Sequence, residues 1–366
     1  MNAPQISPYI LIIASSARML AQAASIAGLK PLVIDLFADL DTQRYAEACQ
    51  QVSSLAIAQL AVAIDFFVKR YAVVHVIYGS GFEYYPESLY YLDSRLTLLG
   101  NTPDTFVRLQ DKVDFFSALS ALDIPYPEVA FTAPGRADNW LVKPVQGQGG
   151  VGIKRYHHDC PEVPVYWQQY QPGSPQSVLF LADGQAAQTI GFNTQWTVGN
   201  SVDEAFIFSG IINSSRLTNG QRALISGWLA VLVTVFDLKG LNSLDFIQDG
   251  KGIYVLEINP RLSASMQLYA DGLLARHIRA SLGDISGSYA AQNGYVGYQI
   301  IYAERDITIP EAFAWPRYGM DLPAAGVICR KERPICSIIA RHNTPRHVFR
   351  LLQRKQHSLL KQLHTF

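Results

Sequence analysis

The sequence lacks a net charge and closely spaced cysteines. The first absence argues against a nucleic-acid-binding protein, and the second against a zinc-binding or disulfide-rich one. Among its 366 residues, 30 lysines and arginines balance 30 aspartates and glutamates. Proteins that bind duplex nucleic acid depend on phosphate neutralisation, so no nucleic-acid partner is expected. The four cysteines, Cys49, Cys160, Cys329 and Cys336, have no CxxC spacing, which argues against a zinc site or a disulfide framework and favours a reducing cytoplasm.

Long apolar runs are also missing. Residues 9–14 are apolar but follow no basic residue, unlike the core of a signal peptide. Later apolar stretches contain polar residues or end well short of the ~20 residues that a membrane span needs. We therefore expect a soluble cytoplasmic protein with no membrane partner. Its hydrophobic content of 49% can form packed cores, and its length suggests two or three domains.

The N-terminal third predicts an open parallel α/β domain over residues 1–104. The Ile-rich run at 9–14 is typical of a strand buried on both faces, and a helix from Arg18 to near Gly28 leads to a second strand at 31–36. Ligands of such sheets sit beyond the carboxyl ends of the strands. The first turn lacks the glycines of a dinucleotide fingerprint, which argues against NAD or FAD.

The remaining chain predicts three further units. Residues 105–173 contain a helix near 112–122 and short strands at 140–145, 151–156 and 163–170, and a Pro-Gly hinge follows at 172–175. Residues 174–294 contain strands, a helix near 219–239 and a β-hairpin. Residues 295–366 end in a helix that begins near Pro345, where proline suits the first turn. Two interpretations of its basic face remain open: a solvated face, or a patch for an acidic substrate tail or partner.

A glycine-rich connection joins the strands at 140–145 and 151–156. Its glycines are Gly147, Gly149, Gly150 and Gly152, and Lys143 precedes them on the incoming strand. Such a loop can point backbone N–H groups at an anion. It matches neither a Walker loop nor a dinucleotide loop. A mobile turn without a ligand is the alternative.

The predicted β-hairpin carries two acidic side chains. If residues 250–252 form a three-residue loop, Asp245 faces Glu257, and Asn259 lies on the same side as Glu257. Tyr254, Leu256 and Ile258 would then face the other way. Opposed carboxylates repel unless a cation lies between them, and Mg²⁺ prefers oxygen ligands that it shares with nucleotide phosphates. Edge carboxylates in water are the alternative. Just beyond the strand, Arg261 could clamp a phosphoryl group, and Arg216 is a weaker candidate for the same role.

Together these motifs resemble the ATP-grasp superfamily over about residues 1–280. The resemblance rests on an Asp-Lys helix start at 111–112, Leu-Val-Lys-Pro at 141–144 with its glycine loop, Gln-Gln-Tyr-Gln-Pro-Gly at 168–173, Asp245, and Glu-Ile-Asn-Pro-Arg at 257–261. It implies an α/β fold in which a two-part ATP-grasp domain with a mobile lid follows the parallel domain. Within the superfamily, residues 15–18 and 33–39 resemble predicted ATP-dependent carboligases, related to biotin carboxylase, of tetrahydromethanopterin and methanofuran pathways.

The resemblance also implies roles for individual residues. ATP phosphates would be bound by Lys112, Lys143 and the loop Gly147–Gly152, and adenine by the backbone of the hinge strand, including Gln168, Gln169 and Tyr170. Mg²⁺, or Mn²⁺ in its place, would be held by Asp245, Glu257 and Asn259. Catalysis would involve Arg261, Arg216 and Lys143, and Arg18 would meet an anionic substrate group. The sequence departs from the family pattern at two positions: relatives often carry glutamate where this chain has Gln169, and arginine where it has Ser243. These differences affect the inference of catalysis more than the inference of nucleotide binding.

The function implied is an ATP-dependent ligase that joins a small-molecule carboxylate to an amine through an acyl phosphate, for example glutamate to an amine in cofactor biosynthesis. One alternative is a carboxylase that activates bicarbonate; no biotinyl Met-Lys-Met motif occurs in the chain. Another is an ATP-binding module that has lost catalysis and acts through a partner. Relatives are often dimers, so the resemblance allows a homodimer.

Overall fold

A computed structural model describes residues 7–158, 162–198, 205–270, 272–289 and 293–365. Its first part is a parallel five-stranded sheet with strand order β3-β2-β1-β4-β5. In chain order the elements are β1 (Tyr9–Ile13), α1 (Arg18–Ile26), β2 (Lys30–Asp35), α2 (Leu40–Tyr45), β3 (Ala48–Gln51), α3 (Ile57–Tyr71), β4 (His75–Tyr78), α4 (Pro86–Asp93) and β5 (Thr97–Leu98). The predicted parallel α/β domain is confirmed.

Strand β1 explains why the first apolar run has no polar alternation. Ile10 and Ile12 pack into one core of the protein, and Leu11 and Ile13 pack into another on the opposite face. All four side chains are fully buried. Because both faces are covered, the sequence of the strand is continuously apolar.

Two helices lead into a small antiparallel sheet. They are α5 (Pro103–Gln110) and α6 (Lys112–Ala121), and the Asp111 carboxylate caps α6 by accepting the backbone N–H groups of Val113 and Asp114. The sheet has the order β6-β9-β7-β8, from β6 (Val129–Ala130), β7 (Trp140–Pro144), β8 (Lys154–Arg155) and β9 (Val165–Gln169). Strand β8 is shorter than predicted because the glycine loop occupies the start of its predicted range.

An eight-stranded sheet with the order β14-β13-β10-β11-β12-β15-β19-β17 forms the centre of the molecule. Its first part contains β10 (Ser174–Asp183), β11 (Ala187–Thr197), β12 (Phe208–Ile212), α7 (Asn219–Phe236), β13 (Lys239–Gln248), β14 (Ile253–Asn259) and α8 (Leu273–Ser281). The chain ends with β15 (Tyr295–Tyr302), β16 (Ile307–Thr308), β17 (Gly319–Met320), β18 (Ile328–Cys329), β19 (Pro334–His342) and α9 (Pro345–His364). The predicted division at residue 294 therefore falls between strands of one sheet.

The two faces of this sheet belong to different cores. Leu179 and Leu241 pack with α1 and α8 on one face, while Phe180 and Phe246 pack with α6 and α7 on the other. The first domain is thus held against the same face that carries Asp245, because position 245 lies on the side of Leu241 in the alternation of β13.

The hairpin of β13 and β14 pairs Asp245 with Glu257, as predicted, but by a different route. Near the turn, Gln248 pairs with Ile253, so the loop has four residues rather than three. A β-bulge at Leu256 then shifts the register by one residue and restores the pairing of the two acidic residues.

The bulge also changes which side chains of β14 are buried. Ile253 and Val255 lie in the core, whereas Tyr254 and Leu256 are half-buried. The prediction that Tyr254 and Leu256 face away from Glu257 together with Ile258 is therefore wrong for the first two, because the register shift inverts the alternation before the bulge.

The last helix, α9, packs against β15 and β19 through Val348, Leu352, Leu359 and Leu363, and Thr344 caps its first turn. Its arginines at 346, 350 and 354 are exposed. No helix in the described ranges combines the length and apolarity that crossing a bilayer requires.

Candidate nucleotide and metal site

Two carboxylates meet on the acidic hairpin formed by β13 and β14. Asp245 lies opposite Glu257 and accepts hydrogen bonds from the side-chain amides of Asn259, at 3.1 Å, and Gln195 of β11, at 3.3 Å. Burial raises the pKa of the Asp245 carboxyl, and the neighbouring charge of Glu257 raises it further. The arrangement therefore disfavours two bare negative charges, and a cation would relieve both causes.

This donor set fits Mg²⁺ shared with a nucleotide. The described residues contain no cluster of three or more His, Cys, Asp and Glu side chains suited to a metal. The hairpin instead offers two carboxylates and the amide oxygen of Asn259, which also accepts from Arg261 at 3.1 Å. Mg²⁺ is typically bound by one or two carboxylates, with substrate phosphates and water completing its octahedron. The predicted ligands Asp245, Glu257 and Asn259 thus lie together.

Lys143 faces the acidic hairpin from the small sheet. Burial lowers the pKa of its ammonium group, and the charges of Glu257 and Asp245 act in the opposite direction. Its Nζ donates to Oε1 of Gln168 at 3.0 Å. The Nε2 atom of Gln168 is buried without a hydrogen-bond partner. Such an orphaned donor beside a half-buried cation fits a ligand that supplies an acceptor oxygen or nitrogen.

The two predicted phosphate-binding lysines share a neighbour, Tyr166 of β9. The Nζ of Lys143 lies 5.6 Å from the centroid of its ring. Burial raises the pKa of Tyr166, the charge of Lys112 at the start of α6 lowers it, and that of Glu257 raises it. Lys112, Lys143 and the acidic hairpin are therefore within electrostatic reach of one side chain.

The glycine loop lies in contact with two other segments. The carbonyl of Gly149 accepts the N–H of Phe208 at 2.9 Å. Gly150 has φ of +78°, and a Cβ there would lie 2.0 Å from the carbonyl oxygen of Phe206. On the other side, the hydroxyl of Tyr84, in the first domain, is hydrogen-bonded to the backbone of Gln148. The loop is thus held between residues 206–208 and the first domain. Gly147 and Gly152 are the first and last residues of this loop.

The hinge strand cannot present the N–H groups of Gln169 and Tyr170 to a base. The first donates to the carbonyl of Glu128 at 2.8 Å and the second to that of Asn139 at 2.6 Å. Backbone recognition of adenine at these two positions would have to use carbonyl groups. The guanidinium of Arg155, which the sequence interpretation missed, stacks 3.7 Å from the centroid of the Tyr170 ring.

Arg261 joins the hairpin to the first domain. Its Nε lies 2.6 Å from Oε1 of Glu83, and Glu83 also accepts the N–H of Gly81 at 2.7 Å. Burial lowers the pKa of Arg261, but the neighbouring carboxylate of Glu83 outweighs it and the pKa is raised. Glu83 was missed by the sequence interpretation, although it follows the Gly-Ser-Gly end of β4, where ligand sites of parallel sheets lie.

The prediction for Arg18 is wrong. Its side chain is only 2% exposed, and Nε binds Asp321 at 2.9 Å, while the two terminal nitrogens bind Gln22 and Gln267 at 2.9 Å each. The C-terminal part of the chain covers the helix start that was expected to be open, so the guanidinium is buried against protein and closed off from a substrate.

Arg216 lies exposed between β12 and α7, and within the described ranges it forms no ion pair. Its predicted role stays a prediction. Ser243, where relatives often carry arginine, pairs with Asn259 across the acidic hairpin and is buried. Cys160 lies outside the described residues; Cys49, Cys329 and Cys336 are free.

Fold and site define the class of this region: residues 109–265 match the ATP-grasp domain. The superfamily resemblance is thereby confirmed for this part of the chain. Among curated proteins, the arginine-specific large chain of carbamoyl phosphate synthase from Bacillus subtilis (strain 168) is 24% identical over 195 residues, which are 47% of this chain and 18% of that protein. The chain therefore matches less than a fifth of the length of this relative.

Two solved structures are similar over nearly the whole chain. One is the biotin carboxylase domain dimer of 2-oxoglutarate carboxylase from Hydrogenobacter thermophilus, in complex with MgADP, ADP and bicarbonate: 14% identity, TM-score 0.73, 93% of this chain and 87% of that one. The other is L-amino acid ligase from Bacillus licheniformis, which is 16% identical with a TM-score of 0.69; the match covers 96% of this chain and 97% of that one. The likeness confirms the α/β ATP-grasp fold.

Proposed function

We propose that the protein is an ATP-dependent ligase that joins a small-molecule carboxylate to an amine. The observation that carries this proposal is the proximity of Lys143, which contacts an unpartnered Gln168 amide, to the Asp245–Glu257 pair. In the proposed site, the lysines and loop N–H groups bind ATP phosphates. Asp245, Glu257 and Asn259 would hold Mg²⁺ or Mn²⁺, which would supply positive charge beside the transferred phosphoryl group.

The reaction we propose has two steps. An oxygen of the substrate carboxylate attacks the γ-phosphorus of ATP, and the bond from that phosphorus to the β-γ bridging oxygen breaks. The products of this step are an acyl phosphate and ADP. The amine nitrogen then attacks the acyl carbon, loses a proton and expels phosphate. Arg261, fixed by Glu83 beside the hairpin, would stabilise charge on the phosphoryl oxygens. The closed loop would exclude water, which otherwise hydrolyses the acyl phosphate.

A cavity at the carboxyl ends of β1 and β4 is the proposed entrance for a second substrate. It has a volume of about 420 Å³ and is lined by Ser15, Gly81 and Tyr84, with Gln148 of the glycine loop at its edge. The sheet order reverses between β1 and β4, which is where parallel sheets bind ligands. No charged side chain lines this cavity, which suits a neutral polar group.

Carboxylation is the second candidate. The Hydrogenobacter thermophilus structure contains bicarbonate together with MgADP, and bicarbonate could replace the organic acid in the first step. A pathway of the tetrahydromethanopterin or methanofuran type stays a prediction, because it rests on the narrower resemblance alone. A homodimer is proposed by analogy with that domain dimer. A catalytically inactive module is disfavoured because the lysines and metal ligands converge.

One assay separates these candidates. The protein is incubated with Mg·ATP and with pooled acids and amines, including glutamate, tyramine, bicarbonate and pterin or furan precursors, and ADP is measured. We expect ADP only when one acid and one amine are both present. Release with bicarbonate alone would favour carboxylation. ATP binding without ADP release in any pool would favour the inactive module and contradict the ligase proposal.

A further inference from the structure

A second cavity lies at the junction of the first domain, the segment after β14, and the C-terminal strands. Its volume is about 580 Å³. Most of its wall is apolar, from Met19 of α1, Met266 and Leu274 near α8, and Trp315, Met320 and Ile339 of the C-terminal region. Its size is that of a small-molecule site.

Three guanidinium groups line this largely apolar wall: those of Arg44, Arg317 and Arg341. All three residues are exposed, and none forms an ion pair with a carboxylate of the described chain. The single carboxylate in the lining, Asp41, already accepts the N–H groups of Asp321 and Leu322, at 2.9 Å each. The cavity therefore has an uncompensated positive charge.

We propose that this arginine cleft binds a small organic anion that has an apolar, preferably aromatic, body and a carboxylate or phosphate group. Guanidinium groups match both kinds of oxyanion by paired hydrogen bonds. Trp315 and Tyr45 in the wall offer flat surfaces to the body. Charge and apolar surface together select an amphipathic anion over an inorganic ion or a neutral aromatic.

The arginine cleft is distinct from the nucleotide site. Tyr269 in its wall donates to Asn193 of β11 at 2.6 Å, and Gln267 binds Arg18 at 2.9 Å, so packed side chains close that side. Three chain segments distant in sequence supply the arginines and the wall, so an occupant bridges them. Binding to the folded state alone should therefore raise the thermal stability of the protein.

The test is calorimetric titration of the full chain without nucleotide, using phenyl phosphate, benzoate, inorganic phosphate and benzyl alcohol. We expect one site for phenyl phosphate or benzoate, at least tenfold tighter than for inorganic phosphate or benzyl alcohol. The two anions distinguish a phosphate from a carboxylate ligand. The double variant R317Q/R341Q should weaken this binding at least tenfold, with an unchanged unfolding temperature in the absence of ligand.

Two controls locate the binding. R346Q changes an exposed arginine of α9 outside the cleft and should bind like the parent. K143A removes a nucleotide-site cation and should also bind like the parent, so the result does not depend on the proposed ligase activity. Loss of binding in K143A, equal losses in R346Q and the double variant, or no binding of either organic anion would overturn the proposal. So would a dimer that dissociates in R317Q/R341Q, which would make this face a subunit interface.

Discussion

Arg18 and Arg261 each form an ion pair with a carboxylate from a distant segment. Their two regions differ in how many polar and charged groups are left without a protein partner. At the domain junction, all three nitrogens of Arg18 that carry hydrogens are bound by Asp321, Gln22 and Gln267. Beside the acidic hairpin, Arg261 uses Nε for Glu83 and one terminal nitrogen for Asn259. Every nitrogen of Arg18 is thus engaged by protein, whereas the described residues offer no partner to the second terminal nitrogen of Arg261.

The difference extends to the surroundings. The proposed nucleotide site contains an unpartnered Gln168 amide, a half-buried lysine and two opposed carboxylates, a combination that is costly unless a ligand completes it. The junction around Arg18 contains hydrogen-bonded polar groups that hold three segments together. Uncompensated charge thus distinguishes a binding site from a structural ion pair. Substitutions in the proposed nucleotide site should lower activity and leave stability largely unchanged, whereas substitutions at the junction should lower stability.

The largest effect should come from the nucleotide site. Glu257→Gln keeps the shape but removes the charge of a proposed metal ligand, and Lys143→Ala removes the charge proposed to bind phosphate, so each should lower turnover at least on the order of 10²-fold. ADP release measures this effect, and circular dichroism should report an unchanged fold. Full activity in either variant would contradict the site assignment.

At the junction, Arg18→Met should act on stability. It removes the ion pair from the half-buried carboxylate of Asp321, which keeps hydrogen bonds from Ser337 and Ser16, and should cost on the order of 3 kcal/mol of unfolding free energy. Urea unfolding monitored by fluorescence measures the loss. The matched variant Arg95→Met breaks an exposed ion pair with Asp65 and should cost less than ~1 kcal/mol. Equal losses in both variants would remove the distinction drawn for Arg18.

The buried side chain of His277 should make the free energy of unfolding depend on pH. It accepts the N–H of Leu241 at Nδ1 and contacts the carbonyl of Leu99 through Nε2, and burial lowers its pKa to about 4. Its unfolded pKa is near ~6.5, so the unfolded state binds the proton first. Stability should fall between these two values by roughly 3 kcal/mol as the pH decreases.

Unfolding at pH 7 and pH 4.5 measures this contribution. His277→Gln retains a donor and an acceptor but does not titrate, so its free energy of unfolding should depend less on pH than that of the parent protein. An identical pH dependence in the two proteins would assign the acid sensitivity to other groups.

The smallest effect concerns the glycine loop. Gly150→Ala places a Cβ against the Phe206 carbonyl at a φ of +78°, so the closed loop should be disfavoured and kcat/KM for ATP should fall about tenfold, or ~1.4 kcal/mol. Gly135→Ala, where a Cβ meets nothing within 4 Å, is the control and should be neutral. Equal activity in both variants would mean that closure over Phe206 is not required.

Sequence reasoning succeeded where the information is local. The apolar run of β1, the glycine loop and the period-two spacing of Glu257 and Asn259 follow from neighbouring residues. The bulge at Leu256 was missed because hairpin length alone does not encode it. Arg18 was misassigned and Glu83 was overlooked because their partners lie 303 and 178 residues away along the chain, and only the packed fold brings them together.

Electron paramagnetic resonance of Mn²⁺ tests the central claim most directly. Mn²⁺ takes the same oxygen ligands as Mg²⁺. We predict that the parent protein binds Mn²⁺ tightly only when ATP is present. Glu257→Gln and Asp245→Asn should lose this nucleotide-dependent signal, while Arg18→Met, in the fraction that is folded, should retain it. Nucleotide-dependent binding that survives in both hairpin variants would contradict a metal-bridged nucleotide on the acidic hairpin.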